Sequence, residues 1–354
     1  MGFGGKRMET TFHGRRARRL TNGLIRVTVL AGGGHIAEIA LVEGGLNPLW
    51  IPPWPSIEPS QFDPRVHNAY GDDVESRLLA GIMGHNLCLD LFGAPSAEEA
   101  AAGLTVHGEA PVVDWDLREA GGLALAATAE LPRAGLRVER RLSLQPDSRE
   151  LAITETIENL TAIDRPVGWT QHVTLGPPFV APGRTTIDLP GTRSKVYESD
   201  FTGGKGPMKV GAEFDWPFCP ANDGGLIDLR RTSHAPVSAG YTAHLLDPSQ
   251  QQAWFTASNP DLDLTLGYRW QREDFPWLGI WEENHCRERA PWNGRAVTRG
   301  LEFGVSPMPE TRRQMIDRGS LFGVPGYRWI PARSRVMVEY SAFLARASGP
   351  PPIA

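Results

Sequence analysis

Residues 167–179 (VGWTQHVTLGPPF) alternate between apolar and polar. On a strand, Val167, Trp169 and Val173 fall on one face and Thr170, His172 and Thr174 on the other. The Gly-Pro-Pro that follows stops the strand, because proline cannot donate to a ladder. A lone histidine in a small polar face is what a strand lining a wet cleft would show. The period of two recurs along the chain. Residues 23–30 and 35–42 flank the turn AGGG, which predicts a β-hairpin with His35 at the surface of the turn. Residues 105–117, 123–131, 136–144 and 151–160 alternate, with hairpin-sized breaks, and lead into the strand carrying His172. A Gly/Pro-rich excursion over 176–225 then predicts long loops crossing the sheet. Strands resume at 239–246, 252–257, 262–270, 277–282, 300–305 and 336–344. So many antiparallel strands imply an all-β fold of two stacked sheets.

Helical signals are few. Residues 95–104 predict one short helix, with Ser96 as cap, Glu99 three residues on and Gly103 as terminator. The repeated prolines of WIPPWPSIEP (50–59) exclude regular structure, and its tryptophans predict a loop packed on something, either as a plug or as the wall of a ligand cleft. The expected organisation is a loosely held tail over 1–19, one domain over 20–345 and a second tail over 346–354. The basic run RRARR (15–19) is expected to be solvated.

Composition narrows the function. The 354 residues, 41% hydrophobic, can bury a large core, and a net charge of -5 gives no basic surface for nucleic acid. The three cysteines have no CxxC spacing, which argues against a disulfide scaffold or a cysteine zinc site. No apolar run is long enough to span a membrane. Without an apolar signal core at the start, the expected location is cytoplasmic.

Three stretches could carry chemistry. In TVHGEAP, His107 and Glu109 are two apart and would share a strand face; in RGLEFGV, Glu302 stands opposite Leu301, Phe303 and Val305. With His172 these form a set able to carry out general acid/base chemistry, and the apolar neighbours of Glu302 would raise its pKa. A structural salt bridge from Glu302 to Arg295 or Arg299 is the competing reading. His107, Glu109 and His172 could instead hold zinc or another divalent metal. WEENH follows an apolar strand, which places Glu282 at a strand end where binding residues often lie. Trp277 and Trp281 offer either a sugar-stacking platform or core packing. No GxSxG setting and no phosphate loop is present.

Taken in order, these stretches resemble the galactose mutarotase (aldose 1-epimerase) superfamily over about residues 20–345. The hairpin GLIRVTVLAGGGHIAEIAL resembles that family's opening, TVHGEAP its sugar-binding HG segment, GWTQHVTLGPPF the strand of its general-acid histidine, and GLEFGVSP the strand of its general-base glutamate. The resemblance implies a large antiparallel β supersandwich, His172 as acid, Glu302 as base and His107 holding the sugar, with Asn86 and Trp281 as weaker contacts. It implies a mono- or oligosaccharide ligand, no cofactor, and a monomer or homodimer. The chain also departs from the family pattern. GIMGHNLC keeps Asn86 but has His85 and Cys88 where arginines are expected; Val173, Thr174 and Leu175 follow His172 where two aromatics and Asn are usual; Phe303 follows Glu302. Activity on free glucose or galactose therefore does not follow. A non-catalytic carbohydrate-binding protein, or a metal-dependent isomerase, lyase or hydrolase, remains open at this level.

Overall fold

The alternating segments pair side by side, and in the computed structural model, which describes residues 9–348, they build two large antiparallel sheets. Eleven strands of the twelve-stranded sheet run in the order Glu9–Phe12, Arg15–Thr21, Ile25–Leu30, Ile36–Leu41, His85–Asp90, Arg165–Leu175, Val297–Gly304, Trp277–Asn284, Ser238–Leu246, Gly191–Val196, Glu213–Asp215. The short strand Arg328–Ile330 pairs with the start of Arg165–Leu175. The second sheet has eight strands, in the order Thr186–Asp188, Gln252–Asn259, Leu264–Gln271, Arg335–Ala345, Glu150–Asn159, Leu136–Leu144, Ala124–Leu131, Asp116–Glu119.

The main core lies between the sheets. Trp169, Val173, Leu278, Ile280, Leu301 and Phe303 point into it from the larger sheet; Leu142, Ile153, Phe255, Leu266, Tyr268 and Trp270 meet them from the other. Trp270 stacks on Phe303 with ring centroids 4.1 Å apart. One ion pair is buried in this core. Arg140 and Glu155 approach to 2.6 Å, and Glu155 also accepts from Trp169 Nε1 and Gln171 Nε2, each at 2.7 Å. With its acceptor sites filled, the carboxylate recovers the hydration it gives up on burial.

The outer face of the larger sheet carries a second apolar cluster, built with Trp50, Trp54, Leu78, Leu79, Phe92 and Trp292 from the covering loops. WIPPWPSIEP is a plug within it: Trp50 stacks on Trp292 at 6.0 Å and Trp54 meets both edge-on. The helix predicted from Ser96 spans Ala97–Ala101, with the reciprocal Ser96–Glu99 capping box in place.

Four expectations are corrected. The basic run at 15–19 is not a solvated tail: Arg15–Thr21 is a strand, and Arg15 is fully buried against Glu58 at 3.1 Å, donating also to the Gly32 and Gly81 carbonyls. His35 is not at the surface but fully buried, with Nε2 3.1 Å from the Pro111 carbonyl. Residues 105–113 are not a strand; turns and a short 3-10 helix, Ala110–Val112, precede the strand Asp116–Glu119. Finally, the excursion over 176–225 contains short strands, one of which, Gly191–Val196, extends the larger sheet. Residues 1–8 and 349–354, where the outer parts of both expected tails fall, lie outside the described residues.

Candidate active site

Register sets the floor of the site. His172 pairs directly with Asn86 on one neighbouring strand and with Glu302 on the other, and Glu302 in turn pairs with Gly279. Paired residues share a face, so Asn86, His172 and Glu302 stand in a row on the outer side of the larger sheet. Above this row a cleft of about 250 Å³ opens between the covering loops, and His107, His172, Trp281 and Glu302 all line it.

Two floor positions need glycine. A Cβ on Gly300 would sit 2.5 Å from Glu302 Oε1, so the carboxylate folds back over bare backbone. A Cβ on Gly279 would strike the Tyr241 ring, which fills that space and donates its hydroxyl to the Pro307 carbonyl at 3.0 Å.

His172 and Glu302 touch. Nε2 lies 3.0 Å from Oε1, and both side chains are about 95% or more buried. The contact is not an aligned hydrogen bond, however, and Oε1 has no hydrogen-bond partner within the protein. A buried carboxylate oxygen without a donor is costly unless a ligand satisfies it. On its other side His172 Nδ1 is 2.9 Å from the Thr174 hydroxyl. Burial pushes Glu302 well above the usual carboxylate range. Burial, reinforced by the neighbouring His107 ring, pushes His172 well below the usual histidine range.

His107 comes from the turn after the short helix, at φ 68°, not from a strand. Its Nδ1 lies 2.6 Å from the Phe92 carbonyl, which can only accept, so Nδ1 carries the hydrogen and Nε2 is left as an acceptor. Its ring centroid is 4.9 Å from that of His172. Burial lowers its pKa to about 4 despite the Phe92 bond, which keeps the ring neutral near pH 7.

The remaining sequence candidates separate. Asn86 faces His172 but is fully buried beneath the cleft, with Oδ1 unpartnered. Glu282 is not at the site. It points to the opposite face from Trp281, where Arg299 holds it at 2.8 Å and Ser238 donates to it. That pair also removes Arg299 from the competing reading of a structural salt bridge to Glu302. Trp277 is core, donating Nε1 to the Pro325 carbonyl at 3.2 Å. Glu109 does not join His107 and His172 as a metal set: Arg133 holds it at 3.2 Å and it accepts from the Ala134 amide at 2.8 Å. Among the described residues no group of three His, Cys, Asp or Glu side chains is arranged to hold a metal ion.

Arg287 was not singled out from sequence. It enters the cleft from the loop after the strand Trp277–Asn284, its guanidinium 4.7 Å from the Trp292 ring centroid and 5.8 Å from that of Trp281. Glu75 and Glu283 each approach it at 3.5 Å. The departures around Asn86 thus leave the cleft with an arginine from elsewhere in the chain. Nothing in the local pattern CRER marks it, because the loop's place over the cleft is set by tertiary packing.

No protein-family model matches the sequence, and a search of curated proteins gave no match. Solved structures do match. A candidate aldose 1-epimerase from Klebsiella pneumoniae subsp. pneumoniae aligns with a TM-score of 0.64 at 14% identity, over 94% of this chain and 80% of that one. A galactose mutarotase-like protein from Clostridium acetobutylicum aligns at 0.60 and 12% identity, over 96% and 98%. One from Lactobacillus casei aligns at 0.59 and 13%, over 93% and 99%. Likeness over nearly whole chains at so little identity makes this chain a divergent example of the galactose mutarotase-like fold.

Proposed function

We propose that the chain is a carbohydrate-active isomerase that interconverts sugar anomers by general acid/base ring opening. The observation that carries this reading is the buried 3.0 Å contact between His172 Nε2 and Glu302 Oε1 on a cleft floor, beside the open acceptor of His107. The ring oxygen and the anomeric hydroxyl of a reducing sugar share carbon 1, so two groups in contact with each other can address both oxygens together. Glu302 takes the proton from the anomeric hydroxyl and His172 gives one to the ring oxygen. The ring opens, the aldehyde rotates, and the reverse transfers close the other anomer. No net proton is gained or lost.

The pair needs one proton between its two members. Burial favours the uncharged form, with the proton on Glu302. The working form, carboxylate and imidazolium, has the same proton count and is reached when the sugar oxygens supply the polar contacts that burial removed. Thr174 can accept from Nδ1–H in the imidazolium and so steady it. Each acid/base partner supplies roughly 10²–10⁴-fold. Saturation-transfer NMR over a panel of aldoses and acidic sugars tests the reading. Exchange between anomers above the buffer rate for at least one sugar is expected. Exchange at the buffer rate for every sugar, with binding retained, would leave a carbohydrate-binding protein without catalysis.

A further inference from the structure

We infer that the cleft takes a reducing sugar lacking a hydroxyl, or carrying an apolar group, away from carbon 1, in preference to a fully hydroxylated or phosphorylated hexose. The inference rests on the proposed anomer exchange only for which end of the sugar meets His172 and Glu302. What carries it is the distribution of polar groups along the cleft. The anomeric end is served by His107, His172 and Glu302, with His172 close to both of the others. Beyond them Leu78, Leu79, Ile82, Phe92, Val106 and Trp281 form an apolar wall, and the two charged residues of the lining, Glu75 and Arg287, face each other at 3.5 Å.

The two tyrosines in the lining do not make up the deficit. Tyr241 donates to the Pro307 carbonyl at 3.0 Å and Tyr197 to the Pro309 carbonyl at 3.3 Å. The Trp292 indole N–H, buried and without a partner, is one further donor. A hexopyranose held by carbon 1 would carry four more hydroxyls into surroundings of this kind, and a hydroxyl buried without a partner loses affinity where a hydrogen or methyl group gains it. Side-chain acceptors and donors in this number suit one or two hydroxyls.

Arg287 does not convert the cleft into an anion site. Its charge faces Glu75 and Glu283, and the next cation along the loop, Arg289, is held by Asp73 and by Glu75 at 3.3 Å. These two arginines meet three carboxyl groups, so no surplus positive charge is left for a phosphate or a uronate. The guanidinium instead lies over Trp292, closing the apolar wall with its own flat face.

The test uses matched pairs on the full chain: galactose with 6-deoxygalactose, glucose with 6-deoxyglucose, and glucose 6-phosphate as the anionic probe. Binding is read from the sugar-induced change in intrinsic tryptophan fluorescence, to which Trp281 and Trp292 in the cleft contribute, and anomer exchange from saturation-transfer NMR on the same samples. The deoxy partner is expected to bind about tenfold more tightly than its parent, the effect of one unpaired buried hydroxyl, with the phosphate no better than glucose. Val106→Thr, which places a hydroxyl in the wall at nearly constant volume, is expected to shrink that ratio. A deoxy preference without any exchange would uphold this inference while removing the anomerase reading. Exchange with parent and deoxy partner bound equally, a preference for the phosphate, or no binding of either pair would overturn it.

Discussion

Glu302 is held where a carboxylate is expensive, and that cost has a measurable sign. Its folded pKa is raised by burial, so its contribution to stability is present below its ordinary value of 4.5 and is lost as pH rises through the folded value. Glu302→Gln keeps the shape and removes the ionisation. The variant is therefore expected to resist urea better than the parent at pH 8 while losing roughly 10²–10⁴-fold in anomer exchange. A variant less stable than the parent at that pH would contradict the placement of the carboxylate. Gly300→Ala tests the same placement from below: a Cβ at 2.5 Å from Oε1 must displace the carboxylate. Exchange is expected to drop by at least about tenfold with the fold intact by circular dichroism. The sequence made His172 and Glu302 legible because each is a polar residue on a strand of strict period two. The same period, carried one residue further, puts Glu282 on the Leu278–Ile280 face; reading it as a strand-end residue failed because the strand runs on to Asn284. His107 was singled out by spacing as well as by resemblance, but the spacing argument assumed a strand that its left-handed backbone breaks, and only the resemblance survives as a reason for its place.

The elements divide the work: strands fix the floor and loops supply the walls. Strand pairing brings Asn86, His172 and Glu302 together across three neighbours from residues 86 to 302; alternation showed the polar face only for His172 and Glu302, and Asn86 came from the resemblance. Which loops arch over them could not be read, because Arg287, Phe92 and Leu79 acquire their meaning only from packing in three dimensions. Arg287→Ala removes the guanidinium from the Trp292 ring and from Glu75 and Glu283. It is expected to raise KM several-fold, about 1 kcal/mol, with kcat little changed, since the residue touches the wall and not the acid/base pair. A loss confined to kcat would place Arg287 in the chemistry instead. Between the sheets, Glu155→Leu strands the Arg140 guanidinium and the Trp169 and Gln171 donors in the core. A loss of about 3–5 kcal/mol in urea unfolding is expected, as for other buried pairs broken from one side; a loss below about 1 kcal/mol would mean that water or a rearranged partner rescues the arginine.

At the scale of the whole molecule, the fold buries histidines in an uncharged state. Burial lowers His35, His85 and His244 to about 3 and His107 to about 4, from an ordinary 6.5. These groups are neutral in both folded and unfolded chains above that ordinary value. As pH falls below it, the unfolded chain takes up protons that the folded chain refuses until near 3 or 4. Stability is thus full above about pH 6.5 and declines towards pH 4, by up to about 1.4 kcal/mol per pH unit for each histidine. The urea midpoint is expected to be lower at pH 5 than at pH 7.5; a flat midpoint would contradict the buried neutral rings. The all-β architecture was evident from alternation and sparse helix signals, yet Arg15, read as part of a solvated tail, is buried inside it because Glu58 and two carbonyls meet its charge. No helix among the described residues is long and apolar enough to cross a membrane. The central claim is that one proton shared by His172 and Glu302 opens and closes a sugar ring. It is tested most directly by the anomer-exchange rate of the best-bound sugar with the parent chain, His172→Ala and Glu302→Gln side by side. Exchange in the parent that falls by roughly 10²-fold or more in both variants, with the sugar still bound, is the predicted result; exchange left near the parent rate in either variant would contradict it.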